Sequence, residues 1–131
     1  MSFTHPIEVR FRDLDAMGHV NNAVVVSFME QARVYWWHLF LGNRPFKEDG
    51  FLIARVEVDY RMPILLTDKV CVELTCTKVG NTSFDLAYRL TKGPGGNVFA
   101  EGKTIQVMLD FATHRPKPLS PAIRAWIEAE G

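Results

Sequence analysis

One long stretch, Asn22–Leu41, carries its apolar side chains at helical spacing, and this stretch constrains the fold more than any other. Asn21 or Asn22 is suited to cap the start of this helix, and Gly42 is suited to end it. The β-branched run at residues 24–26 favours helix only weakly, so we expect packing to stabilise it. The predicted apolar face consists of Val25, Phe28, Met29, Ala32, Trp36, Leu39 and Phe40.

Most of the remaining chain alternates apolar and polar residues, which is typical of half-buried strands. A turn at Gly80-Asn81 and a glycine-rich turn at residues 93–97 separate three of these strands, and Gly102 is a candidate bulge. Ser120 and Pro121 predict the start of a short terminal helix. The alternating sets are Ile7, Val9 and Phe11; Val56, Val58, Tyr60 and Met62; Val70, Val72, Leu74 and Cys76; Phe84, Leu86, Tyr88 and Leu90; and Ile105, Val107, Leu109 and Phe111.

The order of elements is strand, long helix, four antiparallel strands and a short helix. One apolar helix and one antiparallel sheet bury their apolar faces most simply when the sheet curls around the helix. We therefore predict an α+β fold, with a five-stranded antiparallel sheet around one central helix, in a single domain of residues 1–131. The exposed edges and outer face of such a sheet favour association into oligomers.

Charge and composition exclude several classes of partner. Fifteen basic and fifteen acidic side chains cancel, so we expect neither general nucleic-acid binding nor membrane-surface binding. Cys71 and Cys76 lie on one predicted strand, too far apart for a disulfide, which suits a cytoplasmic protein. The N-terminus has no basic-then-apolar signal pattern, and the apolar stretch at residues 34–41 is too short to span a bilayer.

The segment from Asp13 to Asn22 is the predicted active site. It places two carboxylates, a glycine, a histidine and two amides in one turn between a strand and the long helix. Asp15 is suited to act as a general base or as a nucleophile, while the N–H groups at the helix start polarise a carbonyl. Asp13 and His19 would support it. The alternative interpretation is that both aspartates only stabilise the turn.

Other chemistries find no support in these residues. The spacing Asp13-x-Asp15-x-x-Gly18 resembles the start of a calcium loop, but Met17 and Val24 stand where that loop needs oxygen ligands. No zinc spacing, serine-nucleophile motif or phosphate-binding glycine loop occurs. We therefore predict neither a metal nor a redox cofactor.

The pattern Asp-x-Asp-x-x-Gly-His-Val-Asn-Asn before an apolar helix resembles the hotdog-fold acyl-CoA thioesterases. The likeness is to the branch related to 4-hydroxybenzoyl-CoA thioesterase and to the long-chain acyl-CoA thioesterases of bacteria. It extends over essentially the whole chain. Similar segments occur at residues 58–63 with Asp68, at 79–83, at 100–102, and at Asp110 with residues 113–116.

The resemblance implies hydrolysis of an acyl-CoA to a free acid and CoA. It implies that Asp15 is the catalytic carboxylate and that the backbone N–H of Asn22 polarises the thioester carbonyl. Gly18 and His19 would shape the turn. The hairpin Gly80, Asn81, Thr82 and Ser83 would contact the pantetheine and nucleotide of CoA across a dimer interface, in a homodimer or homotetramer.

Two positions depart from the family pattern. Val25 stands where the family usually has tyrosine, so the acyl pocket, assigned to Val25 and Phe28, would lack that aromatic wall or hydroxyl. The hairpin has only Lys78 nearby. Arg61, Arg115 or Lys117 would then supply positive charge to the CoA phosphates, and of these three we count Arg61 among the CoA-binding residues.

Three other functions are compatible with the residues. An acyl-carrier-protein thioesterase would need a dock for an acidic partner, which the neutral charge does not favour. A hotdog dehydratase would need a histidine within the long helix paired with a carboxylate, whereas His19 precedes that helix. A non-catalytic acyl-CoA-binding protein would have no use for Asp15. The length and class of the acyl group stay open.

Overall fold

The computed structural model describes residues 3–130, and its elements follow the predicted order. Two short 3-10 turns, Phe11–Asp13 and Phe46–Asp49, flank the long helix at some distance from its ends. The strands and helices are β1 (Phe3–Glu8), α1 (Asn22–Leu41), β2 (Phe51–Tyr60), β3 (Lys69–Val79), β4 (Ser83–Lys92), β5 (Val98–Asp110), β6 (Arg115–Pro116) and α2 (Pro121–Glu130).

The main sheet has the strand order β1-β3-β4-β5-β2, and all its pairs are antiparallel. The two-residue strand β6, which the sequence did not predict, pairs with the end of β5. Since β2 lies at one edge, one side of its backbone has no neighbouring strand in the described chain. The predicted α+β architecture, with a five-stranded antiparallel sheet curled around α1, is confirmed.

Helix α1 begins and ends at the predicted residues. The Asn21 side chain accepts a hydrogen bond from the Ala23 N–H (2.8 Å), and Gly42 ends the helix with a φ of 62°. The apolar face differs at its C-terminal end, because Leu39 is 60% exposed and Trp37 is buried instead. Trp37 stacks on Phe84 of β4, with ring centroids 5.6 Å apart, so aromatic packing sets this end of the helix.

Strand β5 turns polar side chains toward the helix, opposite to what its sequence suggests. Thr104 and Gln106 pair directly with Leu86 and Phe84 of β4, so the register places them on the core face. There they belong to a buried hydrogen-bonded chain from Arg33 through Tyr88 and Thr104 to Gln106. The apolar residues Ile105 and Val107 face away and are half-buried.

The first strand ends earlier than its alternation predicts. β1 stops at Glu8, and Phe11 lies in the 3-10 turn with 80% of its surface exposed. The cause is local, because the Asp13 carboxylate accepts a hydrogen bond from the Arg10 N–H and bends the chain there.

Gly102 is a contact point rather than the predicted bulge. The register continues through it on both sides, opposite Val58 of β2 and Tyr88 of β4. A Cβ at this position would lie 2.6 Å from the Cε of Met29 in α1. The absence of a side chain therefore lets the helix lie close to the sheet.

The C-terminal helix α2 starts as predicted, with the Ser120 hydroxyl accepting a hydrogen bond from the Ile123 N–H (3.1 Å). Ile123 and Ile127 are buried against the core. No helix within residues 3–130 combines the length and the apolar character needed to cross a bilayer.

Candidate active site

The two aspartates of the turn have different surroundings. Asp13 is 3% exposed and accepts hydrogen bonds from the Arg10 N–H (2.9 Å) and the Arg10 guanidinium (3.2 Å). Its backbone carbonyl also accepts from the Asn21 N–H at 2.8 Å. Asp13 therefore ties the start of the turn to its end, which is a structural role.

Asp15 is exposed, and only part of its carboxylate takes part in the turn. Its Oδ1 accepts hydrogen bonds from the N–H groups of Met17 (2.9 Å) and His19 (3.2 Å). Its Oδ2 has no hydrogen-bond partner among residues 3–130. Gly18, with a φ of 79°, gives the chain the left-handed conformation that brings His19 back to Asp15. One oxygen is thus fixed and the other is available for chemistry.

The N-terminus of α1 offers a free donor. Asn21 N–H is taken by Asp13, and Ala23 N–H is taken by the Asn21 side chain. The N–H groups of Val24 and Val25 both point to the Asn21 carbonyl, at 2.9 and 3.2 Å. The Asn22 N–H has no partner in the described part of the chain, and it lies at the positive end of the helix dipole.

These groups line one cavity of about 270 Å³. Five residues predicted from the sequence contribute to its wall: Asp15, His19, Asn22, Val25 and Arg61. The structure therefore brings together the carboxylate, the helix start and one cation. The other lining residues are Val20, Tyr60, Met62, Pro63, Ile64, Phe99 and Ala100.

The hairpin predicted to contact CoA lies at the other end of the sheet. The cavity residue Ala100 pairs with Leu90 of β4, whereas Ser83, where the hairpin ends, pairs with Val107. Seven strand residues at about 3.3 Å each separate the two ends by about 23 Å. Within one protomer, Gly80, Asn81, Thr82 and Ser83 do not line the cavity of Asp15.

Helix α2 fixes that hairpin. The Arg124 guanidinium donates to the Gly80 carbonyl (2.7 Å), and the Leu119 N–H donates to the Asn81 carbonyl (2.9 Å). The Thr82 carbonyl accepts from the Met108 N–H at 2.8 Å. The conformation of the hairpin is therefore set by the C-terminal part of the chain.

The other predicted residues divide between the two ends of the sheet. Arg61 lines the cavity, whereas the strand with Arg115 pairs with the end of β5, beside the hairpin. Lys117 lies at the same end, where its Nζ donates to the Glu48 carbonyl (3.2 Å). Phe28, which we assigned to the acyl pocket, is 4% exposed in the core and does not line the cavity.

Tyr60 is a cavity residue that the sequence analysis treated only as part of a strand. Its hydroxyl donates a hydrogen bond to the backbone carbonyl of Asn22 (2.7 Å), and burial raises its pKa. The sequence signal that could have indicated Tyr60 as a site residue is its position at the end of a strand, just before Arg61 and Pro63. Among residues 3–130, no group of three or more His, Cys, Asp or Glu side chains is placed to hold a metal ion.

Comparison with known proteins gives concordant matches. The model of the thioesterase-like superfamily matches residues 9–127. The long-chain acyl-CoA thioesterase FadM of Escherichia coli K12 is 28% identical over 127 residues, covering 93% of this chain and 94% of FadM. A 1,4-dihydroxy-2-naphthoyl-CoA hydrolase of Nostoc punctiforme is 30% identical, covering 98% of this chain and 88% of the relative.

A solved structure agrees with these relatives. A thioesterase from Thermus thermophilus, crystallised with coenzyme A and Zn, is 40% identical and superimposes with a TM-score of 0.86. The match covers 96% of this chain and 91% of that one. The predicted hotdog fold and the predicted enzyme class, a thioester hydrolase, are thereby confirmed, and the chain belongs to the thioesterase-like superfamily.

Proposed function

We propose that this protein hydrolyses an acyl-CoA thioester to a free acid and CoA, with Asp15 and the Asn22 N–H as its reacting groups. One observation carries the proposal: a carboxylate oxygen without a partner and a helix N–H without a partner, within the described chain, belong to residues that line the same cavity. The carboxylate oxygen either attacks the thioester carbon or activates water, and the N–H stabilises the charge that develops on the carbonyl oxygen.

In the general-base route, Asp15 removes a proton from water as the water oxygen bonds to the thioester carbon. The carbonyl oxygen becomes an anion and accepts a hydrogen bond from the Asn22 N–H. The carbon–sulfur bond then breaks, the carbonyl re-forms, and the CoA thiolate takes up the proton. The helix N-terminus stabilises this anion more than the neutral carbonyl, which is the condition for catalysis.

In the nucleophilic route, the Asp15 oxygen itself bonds to the thioester carbon and the CoA thiolate leaves. Water then hydrolyses the resulting anhydride, which regenerates the carboxylate and releases the acid. Both routes need the same carboxylate beside the same N–H, so the geometry favours the reaction without favouring one route.

We further propose that the working form is a homodimer paired along β2. This strand runs from Phe51, at the hairpin end of the sheet, to Tyr60, at the cavity end. If two copies of β2 pair antiparallel, the hairpin end of each copy meets the cavity end of the other. The hairpin residues and Arg115 or Lys117 of one protomer would then reach CoA bound beside Asp15 of its partner. Leu52 and Val56, 53% and 44% exposed on this edge, supply apolar surface for the contact.

The test is release of free thiol from a panel of aryl, short-chain and long-chain acyl-CoAs by the wild type and by Asp15→Asn. We expect the substitution to lower kcat at least roughly a hundredfold, which corresponds to about 2.7 kcal/mol. Asp110→Asn is the matched control, because Asp110 Oδ1 also accepts two backbone N–H groups in a turn, from Ala112 and Thr113.

Full activity of Asp15→Asn would exclude Asp15 as the reacting carboxylate. If the wild type releases no thiol from any CoA ester, the proposed substrate class is wrong, and acyl groups on a carrier protein become the next substrates to assay.

A further inference from the structure

We propose that Tyr60 is a positioning residue of the hydrolysis, which ties the first turn of α1 to the edge of the sheet and so holds the Asn22 N–H at the thioester carbonyl. The inference rests on the proposed function. It starts from the hydrogen bond between the Tyr60 hydroxyl and the Asn22 carbonyl (2.7 Å), made inside the cavity of Asp15.

The first turn of α1 is intrinsically weak, so a hydrogen bond that joins it to the sheet would stabilise it. Residues 21–23 are exposed, and the three consecutive valines that follow have weak helix propensity because their β-branched side chains lose rotamer freedom. The Asn21 cap satisfies N–H groups but does not join the helix to the sheet. A frayed first turn would move the Asn22 N–H, since that group lies in the turn itself.

Tyr60 makes the only side-chain hydrogen bond between the sheet and residues 21–25 within the described chain. The other side-chain bonds from α1 to strands lie further along the helix, where Gln31 meets His5 and Arg33 meets Tyr88. An Asn22 carbonyl has two lone pairs, so it accepts from Tyr60 in addition to the helical donor four residues later.

The strand end that carries Tyr60 is itself fixed. The N–H groups of Arg61 and Met62 both donate to the Phe99 carbonyl of β5, at 2.8 and 3.1 Å. The phenol is therefore held between a rigid strand end and a helix turn that is intrinsically weak. A tyrosine hydroxyl, whose ordinary pKa is about 10, is protonated at neutral pH and can donate, and burial raises the pKa of Tyr60 further.

Tyr60 also brings to the cavity an aromatic ring and a hydroxyl that the residue at position 25 does not have. Residue 25 is a valine, whose side chain has neither a ring nor a hydroxyl. Tyr60 and Val25 line the same cavity, so an aromatic ring and a hydroxyl reach its wall from the sheet rather than from the helix.

The test compares Tyr60→Phe, which keeps the ring and removes the hydroxyl, with Tyr35→Phe. Tyr35 is a matched control, because it is similarly exposed (55% against 47%) and stacks on His5 away from the cavity. In Tyr60→Phe we expect kcat to fall about tenfold while KM changes less than about twofold, as expected for an interaction that acts on the transition state. The shape of the pH profile of kcat should not change.

An independent readout is amide hydrogen exchange of Val24 and Val25, whose N–H groups bond to Asn21 in the first turn. We expect several-fold faster exchange in Tyr60→Phe and no change in Tyr35→Phe. Unchanged kcat in Tyr60→Phe, or a loss of activity that only follows a loss of folded protein, would overturn the proposal. If the wild type hydrolyses no CoA ester, the proposed function fails, and unchanged exchange would separately exclude Tyr60 as the tie.

Discussion

Most hydrogen bonds of the turn at residues 13–22 join residues of the turn itself, whereas the hairpin at residues 79–83 is held in large part by residues near the C-terminus. In the turn, Asp13 and Asp15 bind backbone N–H groups within a few residues of themselves. In the hairpin, the carbonyls of Gly80 and Asn81 accept hydrogen bonds from Arg124 and Leu119, which lie about forty residues later in the chain.

In the proposed enzyme, this difference corresponds to two separate functions, the chemical step and the binding of substrate. The turn and the start of α1 bring the proposed reacting groups together within one protomer, and Tyr60 is the distant residue that we propose holds them in place. The hairpin lies about 23 Å away along the sheet, which is beyond the reach of the same cavity. If the hairpin binds substrate, as we propose, that binding depends on how copies of the chain pair along β2.

The largest expected effect comes from mixing two damaged proteins. Asp15→Asn removes the proposed reacting carboxylate, and Asn81→Glu places a negative charge at the exposed hairpin, which we propose contacts CoA bound to the partner protomer. If each site combines Asp15 of one protomer with the hairpin of its partner, half of the sites in a mixed dimer are intact. The two variants are unfolded, mixed in equal amounts and refolded together. At a substrate concentration well below KM, we expect the mixture to reach about a quarter of the wild-type activity.

Activity equal to the mean of the two separate variants would contradict a shared site. A mixture made without unfolding is the control, because it contains both proteins without exchange of subunits.

The second prediction tests whether Asp13 stabilises the turn while Asp15 acts in the reaction. Asp13→Asn removes the charge from a buried group that accepts two hydrogen bonds from Arg10, so we expect the free energy of unfolding to fall by about 1.5 kcal/mol. Urea denaturation measures the loss. Asp15→Asn should change stability less, although we expect it to lower kcat at least roughly a hundredfold. Equal destabilisation by both variants would remove the distinction between the two aspartates.

The third prediction concerns the helix that holds the hairpin. Arg124→Ala removes the donor to the Gly80 carbonyl, and we expect a loss of about 1 kcal/mol in stability. KM for acyl-CoA should rise severalfold while kcat stays near the wild-type value, because the reacting groups lie at the other end of the sheet. A fall in kcat with constant KM would place the effect in the turn instead.

The smallest expected effect is a pH dependence on the β1 side of α1. Burial lowers the pKa of His5, whose ring accepts a hydrogen bond from the Gln31 amide (2.9 Å) and stacks on Tyr35. The unfolded chain binds the proton more readily, so this contribution to stability is complete above about pH 6.5 and declines as the pH falls below that value. Unfolding of wild type and His5→Gln at pH 7.5 and 5.5 measures it, with the exposed His38→Gln as control.

The elements that the sequence predicted correctly are those with strong local signals. Helix α1 has a cap at Asn21 and a stop at Gly42, and both are confirmed, while its predicted apolar face is buried from Val25 to Trp36 but not at Leu39. Strand β4 alternates between apolar and polar residues on matching faces, and Phe84, Leu86, Tyr88 and Leu90 are all buried. In these elements, local sequence and tertiary packing favour the same arrangement.

Two of the wrong predictions, the core face of β5 and the place of Tyr60, depend on partners distant in sequence, whereas the early end of β1 has a local cause. Ile105 and Val107 look like core residues, but the register against β4 gives the core face to Thr104 and Gln106. That choice becomes favourable only when Tyr88 and Arg33 supply hydrogen bonds. Tyr60 was missed in the site for the same reason, since its partner is a backbone carbonyl on another element.

Gly102 shows how a position without chemistry can govern a reaction. Any side chain there would press on the end of the Met29 side chain and on the Glu57 carbonyl (3.0 Å), and Met29 belongs to α1, the helix that carries the Asn22 N–H at its start. A scan of all substitutions scored by activity would rank position 102 among the catalytic residues. A parallel scan scored by the amount of folded protein would separate position 102 from Asp15. Substitutions at position 102 would lower both activity and folded protein, whereas substitutions at Asp15 would lower activity alone.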